Sequence, residues 1–267
     1  MIPEHRLRLQ RQLAGICQPL PDGGQRLLLD GRPLGWLDQR RAVVLRELWP
    51  ALILDEEGLQ WRSRGRTAAE LSAEIGAVAQ SLQALGEITG WRNELYRCEA
   101  DARGAARGRA LFRLERSAFR FFGLRSRAVH VNGWSLQGQL LCGRRALSKA
   151  TDPGALDNLA AGGLGADEAP LACARRELWE EAGLPLSQRV GLSWRGLVHA
   201  RRVEAGGLHD ELLHVYSLEL PAGFQPVNRD GEVSNFLALK PDEVVARLGE
   251  FSPDAAAVSS LELLLGA

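Results

Sequence analysis

Residues 162–184 read GGLGADEAPLACARRELWEEAGL. Pro170 suits the first turn of a helix, where its missing N–H costs nothing, and Asp167 and Glu168 suit the positive N-terminal end. Nothing breaks a helix from there to Ala182, and Gly183 is placed to end it. Glu177, Glu180 and Glu181 stand at i, i+3 and i+4, so a helix brings their carboxylates to one face. Leu171, Ala174, Leu178 and Ala182 fall on the opposite face and are expected to be buried. Three like charges so close repel one another. A divalent cation removes that repulsion, and hard carboxylate oxygens favour Mg²⁺ or Mn²⁺ over zinc. A carboxylate helix holding such an ion suits attack of water on a phosphoanhydride.

A solvated acidic face would explain the glutamates alone, but not their flanks. The spacing runs Gly162, five residues, Glu168, seven residues, Arg176-Glu177-Leu178, one residue, Glu180-Glu181, one residue, Gly183-Leu184. Every specified position of the Nudix box is met, and the chain resembles the Nudix hydrolases. That resemblance implies Glu177, Glu180 and Glu181 as metal ligands, with Arg176 orienting Glu177 and Glu168 pairing with Arg176. It further implies that Gly162 and Gly163 let the loop backbone approach the metal, with a carbonyl of Ala161 or Gly162 as a ligand. A later acidic residue is expected to act as extra ligand or general base. Glu232, in the run 228–233 (NRDGEV), is the first choice; Asp210 and Glu211, in a His-Asp-Glu loop, are the second.

The resemblance extends to residues 90–96 (GWRNELY), 129–133 (VHVNG), 144–163 and 226–236 (PVNRDGEVSNF). Together these are similar to a Nudix subgroup that carries an N-terminal domain of unknown function and is often labelled thiamine pyrophosphokinase-related. The fold implied is α/β: a Nudix α/β/α sandwich with a mixed sheet at 126–267, preceded by a smaller α+β domain at 1–125. The reaction implied is hydrolysis of an organic diphosphate, thiamine diphosphate or its oxo and oxy analogues, to monophosphate and phosphate. Arg144, Arg145 and Lys149 are the candidates for binding phosphates, and Trp91, Trp134 and Tyr96 for a ring platform, although core packing competes for each aromatic. His130, between two valines, reads as a structural histidine. The alternatives are a pyrophosphatase acting on a dinucleotide or nucleoside diphosphate sugar, and a Nudix fold that only binds a nucleotide.

Outside that stretch the chain is ordinary in composition. Its 267 residues carry 33 Lys+Arg against 33 Asp+Glu, and charged residues make up 25%. A zero net charge gives no electrostatic case for nucleic acid, and no apolar run approaches the ~20 residues that span a bilayer. The first twenty residues do not read as a signal peptide. Four scattered cysteines without CxxC spacing point to reduced thiols in a cytoplasm. The expected partner is therefore a small-molecule diphosphate, with no nucleic acid and no membrane, and a homodimer is left open.

In the first half, 26–38 reads as a hairpin turning at Asp30-Gly31, and 49–54 and 59–62 as strands. Residues 67–86 read as a helix with a Thr67/Glu70 capping box and Gly86 past its end. Residues 110–122 read as a second helix stopping at Gly123, and 128–134 and 139–142 as a strand pair opening the next sheet.

Overall fold

The computed structural model describes residues 1–100, 103–185 and 191–266. In chain order the elements are helix α1 (Pro3–Gly15), strands β1 (Gln25–Leu29) and β2 (Arg32–Leu37), helix α2 (Gln39–Leu48), strands β3 (Ile53–Leu54) and β4 (Leu59–Trp61), helix α3 (Ala68–Ala84), strands β5 (Leu95–Glu99) and β6 (Ala110–Glu115), and helix α4 (Ala118–Phe122). Then come β7 (Ser126–Trp134), β8 (Leu140–Arg145), β9 (Leu156–Asp157), β10 (Ala160–Gly163), helix α5 (Pro170–Ala182), β11 (Ser193–Glu204), β12 (Gly207–Glu219), β13 (Val233–Leu239), and helices α6 (Pro241–Ala246) and α7 (Pro253–Leu265).

The large sheet runs β11-β12-β7-β8-β13, with β10 paired to β7 and β9 to β8. It is mixed: β12 pairs β7 in parallel and the other pairings are antiparallel. Alternation along β7 and β12 decides which helix covers which face. Val129, Val131, Tyr216 and Leu218 share a core with Ala174 and Leu178 of α5. Ala128, Leu213 and Val215 point the other way, onto Ala257 and Val258 of α7. Two helical layers thus enclose the sheet, the expected α/β/α sandwich. No helix among the described residues is long and apolar enough to cross a membrane.

Residues 25–124 build a second core around β1, β2, β4, α3, β6 and α4, in which Trp61, Phe112 and Phe122 are fully buried. The hairpin forms as read, with Asp30 and Gly31 both at positive φ. The α3 capping box is present on both sides. At its end, the Glu87 N–H reaches the Leu82 carbonyl.

Several expectations are corrected. Residues 110–122 form not one helix but β6 followed by the short α4. Leu111, Phe112 and Leu114 satisfy a helical spacing, but β6 finds a partner in β5, with Cys98 opposite Phe112 and Tyr96 opposite Leu114. That pairing seats Phe112 on Trp61, ring centroids 5.5 Å apart. The strand expected at 49–54 shrinks to Ile53–Leu54, because Trp49 caps α2. Leu171 is exposed, and Cys173 takes the buried position instead. Helix α1, expected with residues 1–125, packs elsewhere: Leu9 lies in the core of α6 and α7, and Cys17 bridges to Arg201 of β11. The His-Asp-Glu run 209–211 lies in strand β12 rather than a loop.

Phe112→Ala is expected to lower the unfolding free energy by about 3–5 kcal/mol, because a fully buried ring leaves a cavity. Urea denaturation checks this, and a loss below about 1 kcal/mol would contradict strand packing of β6 on α3.

Candidate active site

Helix α5 begins at Pro170 and ends at Gly183, which holds φ at +69°. Its carboxylates are organised by one guanidinium. Arg176 donates from Nε and Nη2 to the two oxygens of Glu168, at 2.8 and 2.9 Å. Its Nη1 donates to Glu177 Oε1 at 2.6 Å and to Glu180 Oε2 at 3.0 Å. Glu177 and Glu181 are buried, whereas Glu180 is half-exposed. The Arg176–Glu168 pairing and the contact with Glu177 match the expectation.

Strand β10 runs against this face without side chains in the way. A Cβ at Gly162 would overlap the Glu177 carboxylate, and one at Gly163 would overlap the Tyr96 hydroxyl, reached from β5. With both positions bare, the Ala161 N–H donates to Glu181 Oε2 at 2.8 Å.

The late loop arrives by docking its backbone on the end of α5. Val227 N donates to the Ala182 carbonyl, and Arg229 N to that of Glu180. The Arg229 guanidinium lies 3.8 Å from the Trp179 ring centroid, a cation–π contact. This brings Asp230 and Glu232 to the helix, where carboxylate oxygens of Glu181, Asp230 and Glu232 fall within 4.8 Å of one another. The Lys149 ammonium pairs with Glu232, and Arg92 Nη1 lies 3.4 Å from the same carboxylate.

Burial pushes the Glu181 carboxyl up to about 8, with the charges of Asp157 and Glu177 adding to it and the Ala161 N–H and Lys149 opposing. Burial also raises Glu177, against the pull of Arg176. Burial lowers Lys149, although Glu181 pulls it back up. An acidic, oxygen-only donor set that has gathered an ammonium among its members fits a hard divalent cation.

The other expected residues are placed as follows. Arg145 is tied to Asp157 at 2.7 Å and to the Thr151 carbonyl, while Arg144 donates to the Gly154 carbonyl. Lys149 is the member of the basic trio that reaches the acidic cluster. Trp91, half-buried, donates to Asn93 and neighbours Arg92. Trp134 belongs to the α6–α7 side of the sheet, buried and donating to Glu262 at 3.0 Å, so it does not join these groups. Tyr96 is buried, edge-on to Phe119. Asp210 is held by Arg125 and His199, and Glu211 accepts from Ser126, so neither second-choice carboxylate joins Glu181. His130 Nδ1 donates to Asn158 Oδ1 at 2.8 Å in the interior, as a structural histidine should.

Arg92, Asp157 and Asp230 were not singled out as site residues by sequence. Arg92 lies inside the quoted run 90–96, and Asp157 inside 144–163, but neither has box spacing to mark it. Asp230 reads equally well as a turn residue beside Gly231.

A model described as NUDIX domain matches residues 124–260, and one described as a domain of unknown function (DUF4743) matches 21–126. Nudix hydrolase 20, chloroplastic, of Arabidopsis thaliana is 36% identical over 234 residues, covering 82% of this chain and 61% of its own length. Nudix hydrolase 24, chloroplastic, of the same plant is 35% identical over 196 residues, covering 70% of this chain and 53% of its own. The chain therefore spans between half and two thirds of the length of these relatives. Among solved structures, the E. coli dihydroneopterin triphosphate pyrophosphohydrolase aligns with a TM-score of 0.43 at 16% identity, over 53% of this chain and 96% of that one.

The raised Glu181 carboxyl makes metal binding and pH inseparable. Its folded pKa lies above its unfolded value, so the folded state holds the extra proton and stability falls as pH rises from about 4.5 to about 8. A divalent cation bound at Glu181 would replace that proton. Mg²⁺ is thus expected to raise the melting temperature more at about pH 8 than at about pH 5. Equal shifts at both pH values, read by scanning calorimetry, would contradict Glu181 as a ligand.

Proposed function

This chain belongs to the Nudix family, and on that footing we propose that it hydrolyses the phosphoanhydride of an organic diphosphate, with thiamine diphosphate and its oxo and oxy analogues as the leading substrates. The observation that carries the reading is the carboxylate cluster: oxygens of the buried Glu181, the half-buried Glu232 and the exposed Asp230 lie within 4.8 Å of one another. Like charges gathered so closely around a buried carboxylate repel one another, and a cation among them relieves that repulsion.

Glu177, Glu180, Glu181 and Glu232 would hold Mg²⁺ or Mn²⁺. Bound there, such an ion would supply neutralisation of diphosphate charge and activation of water. Arg176 keeps Glu177 and Glu180 aimed at the site, and Glu168 fixes Arg176 in turn. The Ala161 N–H holds Glu181 in place. Glu232 accepts the proton of the attacking water, and Lys149 and Arg92 move from Glu232 onto the substrate phosphates when these arrive. Trp91, beside Arg92, offers a ring face for the organic part. Arg144 and Arg145 shape the preceding loop through their carbonyl contacts and leave the phosphates to Lys149 and Arg92. The cytoplasm is the proposed setting, supported by four cysteines that are all free thiols.

The box handles only the ion and the diphosphate, so a nucleotide substrate is the competing reading. Phosphate or monophosphate release is therefore to be compared across thiamine diphosphate, oxothiamine diphosphate, a dinucleotide and a nucleoside diphosphate sugar, each with Mg²⁺. Preference for the thiamine compounds is expected; turnover of the nucleotides alone would sink the substrate assignment, and turnover of none would sink the hydrolase reading. Glu181→Gln is expected to lower kcat by a factor of roughly 10² or more. Arg92→Ala is expected to raise KM several-fold with a smaller change in kcat, since the exposed side chain acts on substrate charge.

A further inference from the structure

Away from the α5 carboxylates, the fold brings a cysteine, a histidine and an aspartate into one line. Cys17 follows α1 and lies beside β11, bridged to Arg201. Its Sγ is 3.3 Å from Nδ1 of His199, and Nε2 of His199 is 2.8 Å from Oδ1 of Asp210. Arg125 also donates to Asp210, from Nε to the same Oδ1 at 2.7 Å and from Nη2 to Oδ2 at 3.1 Å. Asp210 is buried, whereas Cys17 and His199 are half-buried, so the thiol end of the array is open to small reagents. The phosphoanhydride chemistry uses none of these groups.

The array has the polarity of a nucleophile, a base and an orienting acid. Burial pushes the Asp210 carboxyl up, but hydrogen bonds from His199 and Arg125 more than offset this and hold it below the usual carboxylate range. An anionic Asp210 takes the Nε2–H of His199 and leaves the Nδ1 lone pair facing the Cys17 sulfur. That is the tautomer a general base requires.

We propose that Cys17, His199 and Asp210 form a second reactive site, which takes low-molecular-weight disulfides and is converted to a mixed disulfide. The Cys17 sulfur attacks one sulfur of the reagent while its proton passes to Nδ1 of His199. The reagent's S–S bond breaks, its electron pair leaves on the departing sulfur, and that sulfur takes the proton from His199 to become a thiol. Cys17 is oxidised and the departing sulfur is reduced, so no other oxidant enters.

A disulfide fits better than an acyl group. Acyl transfer needs N–H donors aimed at an oxyanion. Here the Gln18 N–H is given to the Arg201 carbonyl at 2.8 Å, and the Arg201 N–H to that of Ile16 at 2.9 Å. Exchange at sulfur develops charge on sulfur alone and needs no such donors. Arg201, two residues beyond His199 on the same strand face, places a cation beside the site and favours a disulfide that carries carboxylates.

The test treats the native protein with oxidised glutathione near neutral pH and follows each cysteine peptide by mass spectrometry. Cys98, Cys142 and Cys173 are buried and serve as internal references. Cys17 is expected to react alone, at a rate at least roughly 10-fold above free cysteine under the same conditions. His199→Gln is expected to remove that advantage at neutral pH and to match the wild type at about pH 10, where solvent hydroxide takes the place of the imidazole as base. Asp210→Asn acts as loss of a positioning residue and gives an intermediate rate. Cys17→Ser abolishes labelling and leaves phosphate release unchanged. Reaction no faster than free cysteine, an unchanged neutral rate in His199→Gln, or labelling of a buried cysteine in place of Cys17 would each overturn the proposal.

Discussion

The site depends on burying more negative charge than the protein alone can neutralise. Arg176 answers Glu168, Glu177 and Glu180 with a single planar guanidinium, which is why a lysine could not replace it. It does not reach Glu181. That carboxylate is left with one backbone N–H and a share of Lys149, while Asp157 and Glu177 press on it. Much of the surrounding architecture serves this imbalance. Bare glycines on β10 let the helix face come close, and the late loop docks its backbone on the end of α5 to deliver two more carboxylates.

The N-terminal region is bound to the same machinery rather than appended to it. Arg107 donates to the Gly165 and Glu168 carbonyls of the loop before α5. Its partner Glu99 also holds Arg127 of β7, in a buried cluster of one carboxylate and several guanidinium groups. His214 accepts from Arg127 there; burial and the arginine charges push it down to about 4, so it stays neutral and free to accept. Tyr96 fills the space over Gly163, and Arg92 reaches Glu232. A displacement of β5 would therefore be felt at the loop that precedes α5 and at the late carboxylate together.

Helix and hairpin signals were legible where the interaction is local. The Pro170 start, the Gly183 stop, the Thr67 box and the Asp30-Gly31 turn all depend on residues within a few positions of one another. Where two local readings competed, distant partners decided. Residues 110–115 could satisfy a helical spacing, yet β5 supplied backbone hydrogen bonds and Trp61 a ring to pack against. Trp134 and Trp91 looked equivalent as platforms until strand alternation sent Trp134 to the α7 side.

The sequence alone determined the helix of residues 170–182 and its shared acidic face, because a 3.6-residue period converts spacing directly into direction. The Arg176–Glu168 pairing and the choice of Glu232 came only with the resemblance to a family, since Glu168 lies before the helix and Glu232 far beyond it. Only the tertiary structure decided that Asp230 and Arg92 join that acid, that Arg144 and Arg145 are spent on loop carbonyls, and that α1 crosses to the far layer. It alone brought Cys17, His199 and Asp210 into line. Those outcomes join chain segments as far apart as His5 of α1 and Asp242 of α6, 237 residues in sequence, and no local period carries information over such a distance.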